Sequence, residues 1–347
     1  FYGEKKRGIS RQKLNDEAMA IVRRVESGEI KNLSDEDKAT LAQYTGCGGG
    51  LIRPDGKKGS AYEYYTPKAV AEGVWDVLNE MGFTGGRVLD PCAGTGIFGA
   101  TSPRNCAIDA VELSEFSGKV NSLINDGPGY MTRIGPFEDF AANTNDGVYD
   151  AVVTNVPFGT VADRGANAML DTKYRDQPLE VYFILRALQK VRPGGMAAFI
   201  VPTRCVSGKD GKQQNMRIEA SLMAEFLGAY RLPSGTFSAA DTDTVTDILF
   251  FKRFTQAAEE KIRSMFGPKT KDLKAFNVLW EPFVSGDYFK TPEGQKYVLG
   301  ETTMTKNRFG DTVETVLAGT KDGKVNPSDI KDLMKVKRLP GSRIDWK

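Results

Sequence analysis

The chain has 347 residues, of which 40% are hydrophobic and 27% are charged, a composition typical of a folded globular protein rather than a disordered one. It contains no histidine, which excludes Ser-His and Cys-His catalysis and histidine-ligated metal sites, and we expect no metal. The formal net charge is only +2, so a surface for nucleic acid must come from local basic clusters.

The chain begins at Phe1 rather than at methionine, and its first residues lack the apolar core of a signal peptide. We therefore expect a processed chain or part of a longer polypeptide. Four cysteines are spread along the sequence without the paired spacing of a zinc or redox site, which favours a reducing cytoplasm. The longest apolar runs, 196–201 and 248–251, are far shorter than the ~20 residues of a membrane span, so we expect no membrane association.

The first 60 residues carry a helical pattern. Apolar residues recur at helical spacing over 11–27, and Ser34 with Asp37 can cap a second helix that runs to about Tyr44. A glycine-rich stretch, 46–50, and a basic polar loop, 53–60, follow. The sequence thus predicts a helical N-terminal extension over residues 1–60.

Between residues 61 and 254, helices alternate with apolar strands. The predicted strands are 87–90, 108–113, 149–154, 196–202, 229–232 and 244–252, and the predicted helices are 67–81, 178–191 and 213–227. This alternation is typical of an α/β protein with a doubly wound, mostly parallel, Rossmann-like sheet, which binds ligands at the carboxyl ends of its strands. A charged helix, 255–266, and a Gly/Lys/Asp-rich tail follow, so 255–347 is predicted to be a charged C-terminal extension that contacts DNA or serves as a linker.

The first chemical motif is a strand that runs into a glycine turn, Leu89–Gly99. Glycines at positions 94 and 96 let backbone N–H groups approach a ligand, and Asp90 can meet an amine. The next strand ends near Glu112, whose carboxylate can accept hydrogen bonds from both hydroxyls of a ribose. A dinucleotide dehydrogenase shares these features, but its fingerprint does not call for the Asp-Pro that precedes the glycines here.

The second motif, Thr154–Gly159, directly follows an apolar strand. An amine conjugated to a purine ring is a poor nucleophile, so hydrogen-bond acceptors must orient it toward a methyl donor. Asn155 offers an amide oxygen and Val156 a backbone carbonyl, Pro157 stiffens the loop, and Phe158 supplies a flat face for a base. The loop therefore predicts methyl transfer to an amine.

Together these motifs resemble the N6-adenine DNA methyltransferases, which carry an Asn-Pro-Pro-Phe or Asn-Pro-Pro-Tyr loop. Val156 stands where the family has its first proline, but a carbonyl remains there. Asparagine rather than serine at position 155 is similar to the adenine-modifying members. The resemblance implies S-adenosylmethionine as methyl donor and the N6 amine of adenine in DNA as acceptor. It also implies a catalytic loop at 155–158 and a cofactor site that includes Asp90, Cys92, Gly94, Gly96 and Glu112.

Two further strings extend the resemblance. In Tyr64–Pro67, Tyr65 and Thr66 would form a wall against the methionine end of the cofactor, although a plain helix cap by Thr66 fits nearly as well. Asp139 and Phe140 lie where the family carries an acidic residue and an aromatic ring beside the cofactor adenine. An ordinary solvated acidic turn fits these two residues equally.

The string Arg231–Phe237, the later string Thr244–Phe250 and the Tyr44–Gly49 segment are similar to adenine methylases of phages and mobile elements, including DarB-like antirestriction methylases. This resemblance implies phage DNA modification or antirestriction, and a fused or associated helicase or other phage or mobile-element protein as partner. It also implies a location in the cytoplasm of a bacterial host or in a virion. Phe237 would line the base pocket or serve as a core aromatic.

Basic side chains that can hold a phosphate backbone occur in three clusters, although each cluster by itself can equally be a solvated face. Such contacts give affinity without choice of sequence. The candidates are Arg164, Lys173 and Arg175 after the loop, Lys209, Lys212 and Arg217 further along, and Lys331, Lys335, Lys337 and Arg338 near the end.

Two other functions stay open. Methylation of a protein glutamine poses the same lone-pair problem and uses a similar loop. A catalytically silent module that binds DNA or a partner would keep the fold, and Val156 favours that alternative. No motif in the sequence indicates the target sequence.

Overall fold

The computed structural model of the protein describes residues 1–2, 9–48, 51–53, 56, 65–237, 245–265, 280–306, 310, 312–320 and 324–344. Tyr64 and Thr244, which belong to strings singled out above, lie outside these residues. None of the helices in the described ranges is long and apolar enough to cross a membrane.

A seven-stranded sheet forms the centre of the described chain. Its strands are β1 Gly86–Asp90, β2 Cys106–Glu112, β3 Tyr130–Ile134, β4 Tyr149–Asn155, β5 Val191–Pro202, β6 Ala224–Arg231 and β7 Thr246–Arg253. Their order across the sheet is β3-β2-β1-β4-β5-β7-β6. The first five are parallel, and β7 runs antiparallel to both of its neighbours. The predicted doubly wound, mostly parallel sheet is confirmed.

Helices connect these strands, and a two-stranded hairpin follows the sheet. The α-helices are α1 Arg11–Glu26, α2 Asp35–Leu41, α3 Lys68–Glu80, α4 Ile97–Ala100, α5 Glu115–Asn125, α6 Phe137–Ala142, α7 Val161–Arg164, α8 Leu179–Lys190, α9 Arg204–Ser207, α10 Gly211–Met223, α11 Gln256–Met265, α12 Trp280–Ser285, α13 Pro292–Gln295 and α14 Pro327–Val336. Short 3₁₀ helices occupy Gly165–Met169 and Tyr288–Lys290, and the hairpin consists of β8 Glu301–Lys306 and β9 Thr312–Leu317.

Two of the differences from the sequence prediction concern the strands β3 and β6. The edge strand β3 was not predicted, because most of its residues are polar or exposed. The predicted helix over 213–227 ends at Met223, and β6 begins at Ala224. The apolar run around this boundary suits a helix or a strand, and periodicity cannot separate the two for so short a run. Backbone pairing of β6 with β7, which starts at Ala224 opposite Arg253, decides in favour of the strand.

The N-terminal helices pack beside the glycine turn. Val22 of α1 and Val120 of α5 belong to one buried cluster, which joins α1 and α2 to the helix that follows β2. Asn15 of α1 is fully buried and holds the turn after α2. Its Oδ1 accepts from the Thr45 N–H at 2.9 Å, and its Nδ2 donates to the Gly46 carbonyl at 2.7 Å.

The described residues after 254 pack on the β6 edge of the sheet and on α3. Phe283 of α12 stacks on Phe226 of β6 with ring centroids 3.9 Å apart, in the same hydrophobic core as the sheet. A Cβ at Gly73 of α3 would lie 2.2 Å from the Met334 Cε, so α14 approaches α3 at this glycine. These contacts anchor α12 to the sheet and α14 to α3.

Candidate active site

Three of the predicted residues end three neighbouring parallel strands. Asp90 ends β1, Glu112 ends β2 and Asn155 ends β4, and the sheet order places β1 between the other two. Because carboxyl ends of parallel strands meet at one edge, the two motifs recognised in the sequence come together there.

Asp90 is buried, with 2% of its surface exposed. Its Oδ1 accepts from the Thr154 hydroxyl at 2.7 Å and from the Cys92 N–H at 3.3 Å. Its Oδ2 is buried and has no hydrogen-bond donor in the described part of the chain. Burial, and to a smaller extent the charge of Glu112, raise the pKa of this carboxyl to about 7. The site therefore contains a buried acceptor that suits a cation or a donor.

The Glu112 carboxylate joins the glycine turn to the end of β2. Its Oε2 accepts from the Gly94 N–H and its Oε1 from the Ser114 N–H, both at 2.7 Å. A carboxylate has about four acceptor positions, so both oxygens can accept further hydrogen bonds. The segment that leads to α6 starts beside this residue, since the Gly135 N–H donates to the Glu112 carbonyl at 2.8 Å.

The two glycines of the turn have left-handed backbones, with φ of +54° at Gly94 and +92° at Gly96. A Cβ at Gly94 would lie 3.0 Å from Cε1 of Tyr65, whose ring covers the turn. A Cβ at Gly96 would lie 2.3 Å from Oδ1 of Asn121. Both positions therefore require glycine for conformation and for space.

Tyr65 and Thr66 join the two halves of the site. The Tyr65 hydroxyl lies 2.7 Å from the Ser117 Oγ of α5, and Thr66 is buried. Thr66 does not cap α3 as one interpretation of the sequence held: the residue at the cap position is Pro67, without a side-chain hydrogen bond. The Thr66 Oγ1 instead accepts from Nδ2 of Asn155 at 3.3 Å.

The Asn155–Phe158 loop is held by the sheet at its start. The Val156 side chain is 2% exposed, and its N–H donates to the Ile200 carbonyl of β5 at 3.0 Å. A proline at this position would lack that N–H, so this backbone hydrogen bond anchors the loop where the family has its first proline. Pro157 and Phe158 are half-buried.

Phe158 lines an open groove of about 710 Å³, a volume within the usual range of ligand sites. The groove is lined by Phe158, Gly159, Thr160, Val161, Ala162, Asp163, Pro178, Glu180, Pro202, Arg204, Asp210, Lys212 and Gln213. Of these residues, Phe158 and Lys212 were predicted from the sequence, whereas Glu180, Arg204 and Gln213 were not. Only the position of Arg204, just after a predicted strand, was a signal in the sequence.

The other predicted site residues lie at varied positions. Asp139 is exposed and accepts from Nδ2 of Asn143 at 3.0 Å, while Phe140 is half-buried with the Arg133 guanidinium 5.7 Å from its ring centre. Both belong to α6, which follows β3 at the Glu112 end of the site. Phe237 is 2% exposed and packs in the main hydrophobic core.

Two of the predicted DNA-contact residues, Arg164 and Arg217, are buried, which corrects the prediction for both. Arg164 is 3% exposed: its Nε donates to Oε1 of Glu138 at 3.0 Å, and its guanidinium lies 3.9 Å from the centre of the Tyr182 ring. Arg217 is fully buried, and its guanidinium donates to backbone carbonyls, including Val284 at 3.1 Å and Gly208 at 2.6 Å. Neither side chain can reach a phosphate.

The remaining basic candidates are at least partly exposed. Lys173 pairs with Asp146 and Lys209 with Asp287, each at 2.8 Å, whereas Lys212 is exposed at the groove. In the cluster near the end, Lys331 pairs with Glu72 of α3 at 3.0 Å.

The sheet order, with β7 reversed between β5 and β6, is that of the class I methyltransferase fold. Asp90, Glu112 and the Asn-x-Pro-Phe loop lie at the carboxyl edge of its parallel strands. Residues 54–274 match the N-6 DNA methylases, and the chain belongs to this family. S-adenosylmethionine is the methyl donor that this family membership implies.

The chain is 38% identical over 337 residues to "Defense against restriction protein B" of Escherichia phage P1. The match covers 97% of this chain but only 14% of the phage protein. A solved structure from Listeria monocytogenes, described as a class I S-adenosylmethionine-dependent methyltransferase, is 15% identical to the chain. Its TM-score is 0.49 over 72% of this chain and 82% of that one. A type I restriction-modification methyltransferase subunit from Streptococcus thermophilus is 14% identical, with a TM-score of 0.44 over 59% and 53%. These two structural likenesses are too distant to add an argument about the site.

Proposed function

We propose that the chain transfers a methyl group from S-adenosylmethionine to the N6 amine of adenine in DNA, in the service of phage DNA modification or antirestriction. One observation carries this proposal: β4 brings Thr154 into a hydrogen bond with Asp90 and ends at the next residue, Asn155. If Asp90 holds the cofactor and Asn155 the substrate, the donor site and the acceptor site are adjacent along a single strand.

The residues at the ends of β1 and β2 fit the cofactor. The buried Oδ2 of Asp90, which has no donor among the described residues, suits the amine of the methionine end, and the Glu112 carboxylate suits the ribose hydroxyls. Gly94 lets backbone approach the ligand, and Phe140, with Asp139, would hold the adenine. When bound, S-adenosylmethionine supplies a methyl group on a positively charged sulfur.

The residues at the end of β4 fit an amine substrate. Asn155 would orient the amine through its amide oxygen, the Val156 carbonyl would accept the second amine hydrogen, and Phe158 would stack on the base. Because a sulfonium would supply an already activated methyl group, Asn155 and Val156 could act by positioning the amine rather than as a strong base, and the displaced amine proton would pass to solvent. A base extruded from a duplex would cost a few kcal/mol of unstacking.

The test is transfer of labelled methyl groups to DNA by Asn155→Ala. This variant should bind S-adenosylmethionine with unchanged affinity in calorimetry and should incorporate no label. Asn79→Ala, on the exposed surface of α3, is the matched control and should behave as wild type. Full activity of Asn155→Ala would overturn the assignment.

Two arms of the same assay separate the alternatives. A glutamine-bearing peptide offered beside DNA distinguishes a protein substrate, since label in the peptide alone would replace DNA in the proposal. A silent binding module would give no heat with S-adenosylmethionine. Because the chain spans about a seventh of the phage relative, we also propose that it works with further domains or with a helicase partner.

A further inference from the structure

Arg204 lies at the carboxyl end of β5, in the groove beside Phe158. Its side chain is 46% exposed, and its Nε donates to Oε1 of Glu180 at 2.7 Å. A guanidinium held through Nε keeps a fixed plane, because that hydrogen bond restricts rotation of the planar group. Arg204 is thus a preorganised cation on the wall of the substrate groove.

Glu180, which orients Arg204, also holds the catalytic loop. It is 1% exposed, and its Oε2 accepts from the N–H of Gly159, the residue after Phe158, at 3.2 Å. Its Oε1 also accepts from Nε2 of Gln213 at 3.2 Å. The orientation of Arg204 and the position of the loop therefore depend on the same buried carboxylate.

The charge of the groove argues against a phosphate as the partner of Arg204. Among the described lining residues are two cations, Arg204 and Lys212, and three carboxylates, Asp163, Glu180 and Asp210. The negative charge of the carboxylates in the groove repels a phosphate, whereas the uncharged acceptor edge of a base is not repelled. The planar fork of arginine matches two acceptors on one base edge, as in contacts with guanine.

We propose that Arg204 reads the edge of a nucleobase next to the methylated adenine and thereby sets a preference for one flanking base. This inference rests on the proposed function. It makes Arg204 a specificity-determining residue and Glu180 the residue that orients it.

The experiment methylates a plasmid library with randomised bases around each adenine and locates the product by single-molecule sequencing. The variants are Arg204→Ala and Arg204→Lys, and Arg192→Ala is the matched control. Arg192 is the second residue of β5, at the end of the strand opposite to Arg204. Its side chain is 49% exposed, and its Nε donates to Oδ1 of Asp150 at 2.6 Å. Its exposure and ion pair thus resemble those of Arg204, but it lies away from the groove.

Arg204→Ala should lose the preference at one flanking position and raise the KM for DNA by about tenfold or more, as expected for loss of a bidentate base contact. The affinity for S-adenosylmethionine should stay within about twofold of wild type. Arg204→Lys should not restore the preference, because a point charge lacks the fork. Arg192→Ala should keep the wild-type preference.

Three results would overturn the inference: wild-type methylation without flanking preference, an unchanged preference in Arg204→Ala, or full restoration by Arg204→Lys, which would indicate a phosphate contact. A wild-type chain that labels no DNA at all would overturn the proposed function instead, and the inference with it. The wild-type arm therefore separates the two failures.

Discussion

Asp90→Asn should stabilise the cofactor-free chain at high pH while it removes cofactor binding. Burial raises the pKa of the Asp90 carboxyl from 3.8 to about 7. Because folding raises the pKa, the contribution of this group to stability is favourable at low pH, is lost as the pH rises from 3.8 and is fully lost above about 7. At about 1.36 kcal/mol per pKa unit, the ionised carboxyl costs the folded state about 4 kcal/mol.

Asparagine at this position can still accept from Thr154, but its NH₂ group would be buried without an acceptor, at a cost of about 1–3 kcal/mol. We therefore expect Asp90→Asn to raise the free energy of unfolding by about 1–3 kcal/mol at pH 8 and to give no gain near pH 4. Urea denaturation of the cofactor-free protein at both pH values measures the difference. Calorimetry at pH 8 should show loss of S-adenosylmethionine binding.

Asp247→Asn is the control. Asp247 is also fully buried with a raised pKa caused by burial, but it accepts from Nε and Nη2 of Arg231 at 2.8 and 2.9 Å. Removal of its charge leaves Arg231 without its buried carboxylate partner, so this variant should be destabilised at high pH. A less stable Asp90→Asn at pH 8, or one that binds the cofactor with wild-type affinity, would refute the argument.

Substitutions at three other positions test the site. Gly96→Ala should weaken cofactor binding at least about tenfold in calorimetry, because a Cβ collides with the packed side chains and φ is +92°; normal affinity would contradict this. Thr66→Val should lower kcat without a change in cofactor affinity, since Asn155 loses its hydrogen bond to Thr66, and Thr66→Ser should restore kcat. Val156→Pro recreates the family loop but removes the hydrogen bond to Ile200, so it should lower the free energy of unfolding by about 1 kcal/mol. It should not raise kcat. A more stable variant in urea denaturation would refute this.

Much of the candidate cofactor site could be predicted from the sequence, because its residues lie in short motifs at the ends of strands. The glycines, Asp90 and Glu112 stand at strand ends, and the alternation of strands and helices places such ends at one edge of a parallel sheet. The same holds for the start of the Asn155 loop. What local pattern could not provide was the partner of each side chain.

The basic residues illustrate that limit. Arg164 and Lys212 are both basic residues in clusters that the sequence predicts to contact DNA. Arg164 is buried against Glu138, whereas Lys212 is exposed at the groove. An arginine can satisfy its donors inside the protein as well as at a phosphate. Only the three-dimensional neighbourhood separates the two outcomes.

The doubly wound fold, the glycine turn and the Asn155–Phe158 loop could be predicted from the sequence, since they depend on residue type and short-range spacing. The tertiary structure alone decided that Thr66 meets Asn155, that β5 supplies the acceptor for the Val156 N–H, and that Glu180 joins the catalytic loop to Arg204. Thr66 and Asn155 are 89 positions apart in the sequence, Val156 and Ile200 are 44 apart, and Glu180 and Arg204 are 24 apart. Packing of the sheet and helices, rather than any local motif, brings such residues within hydrogen-bond distance.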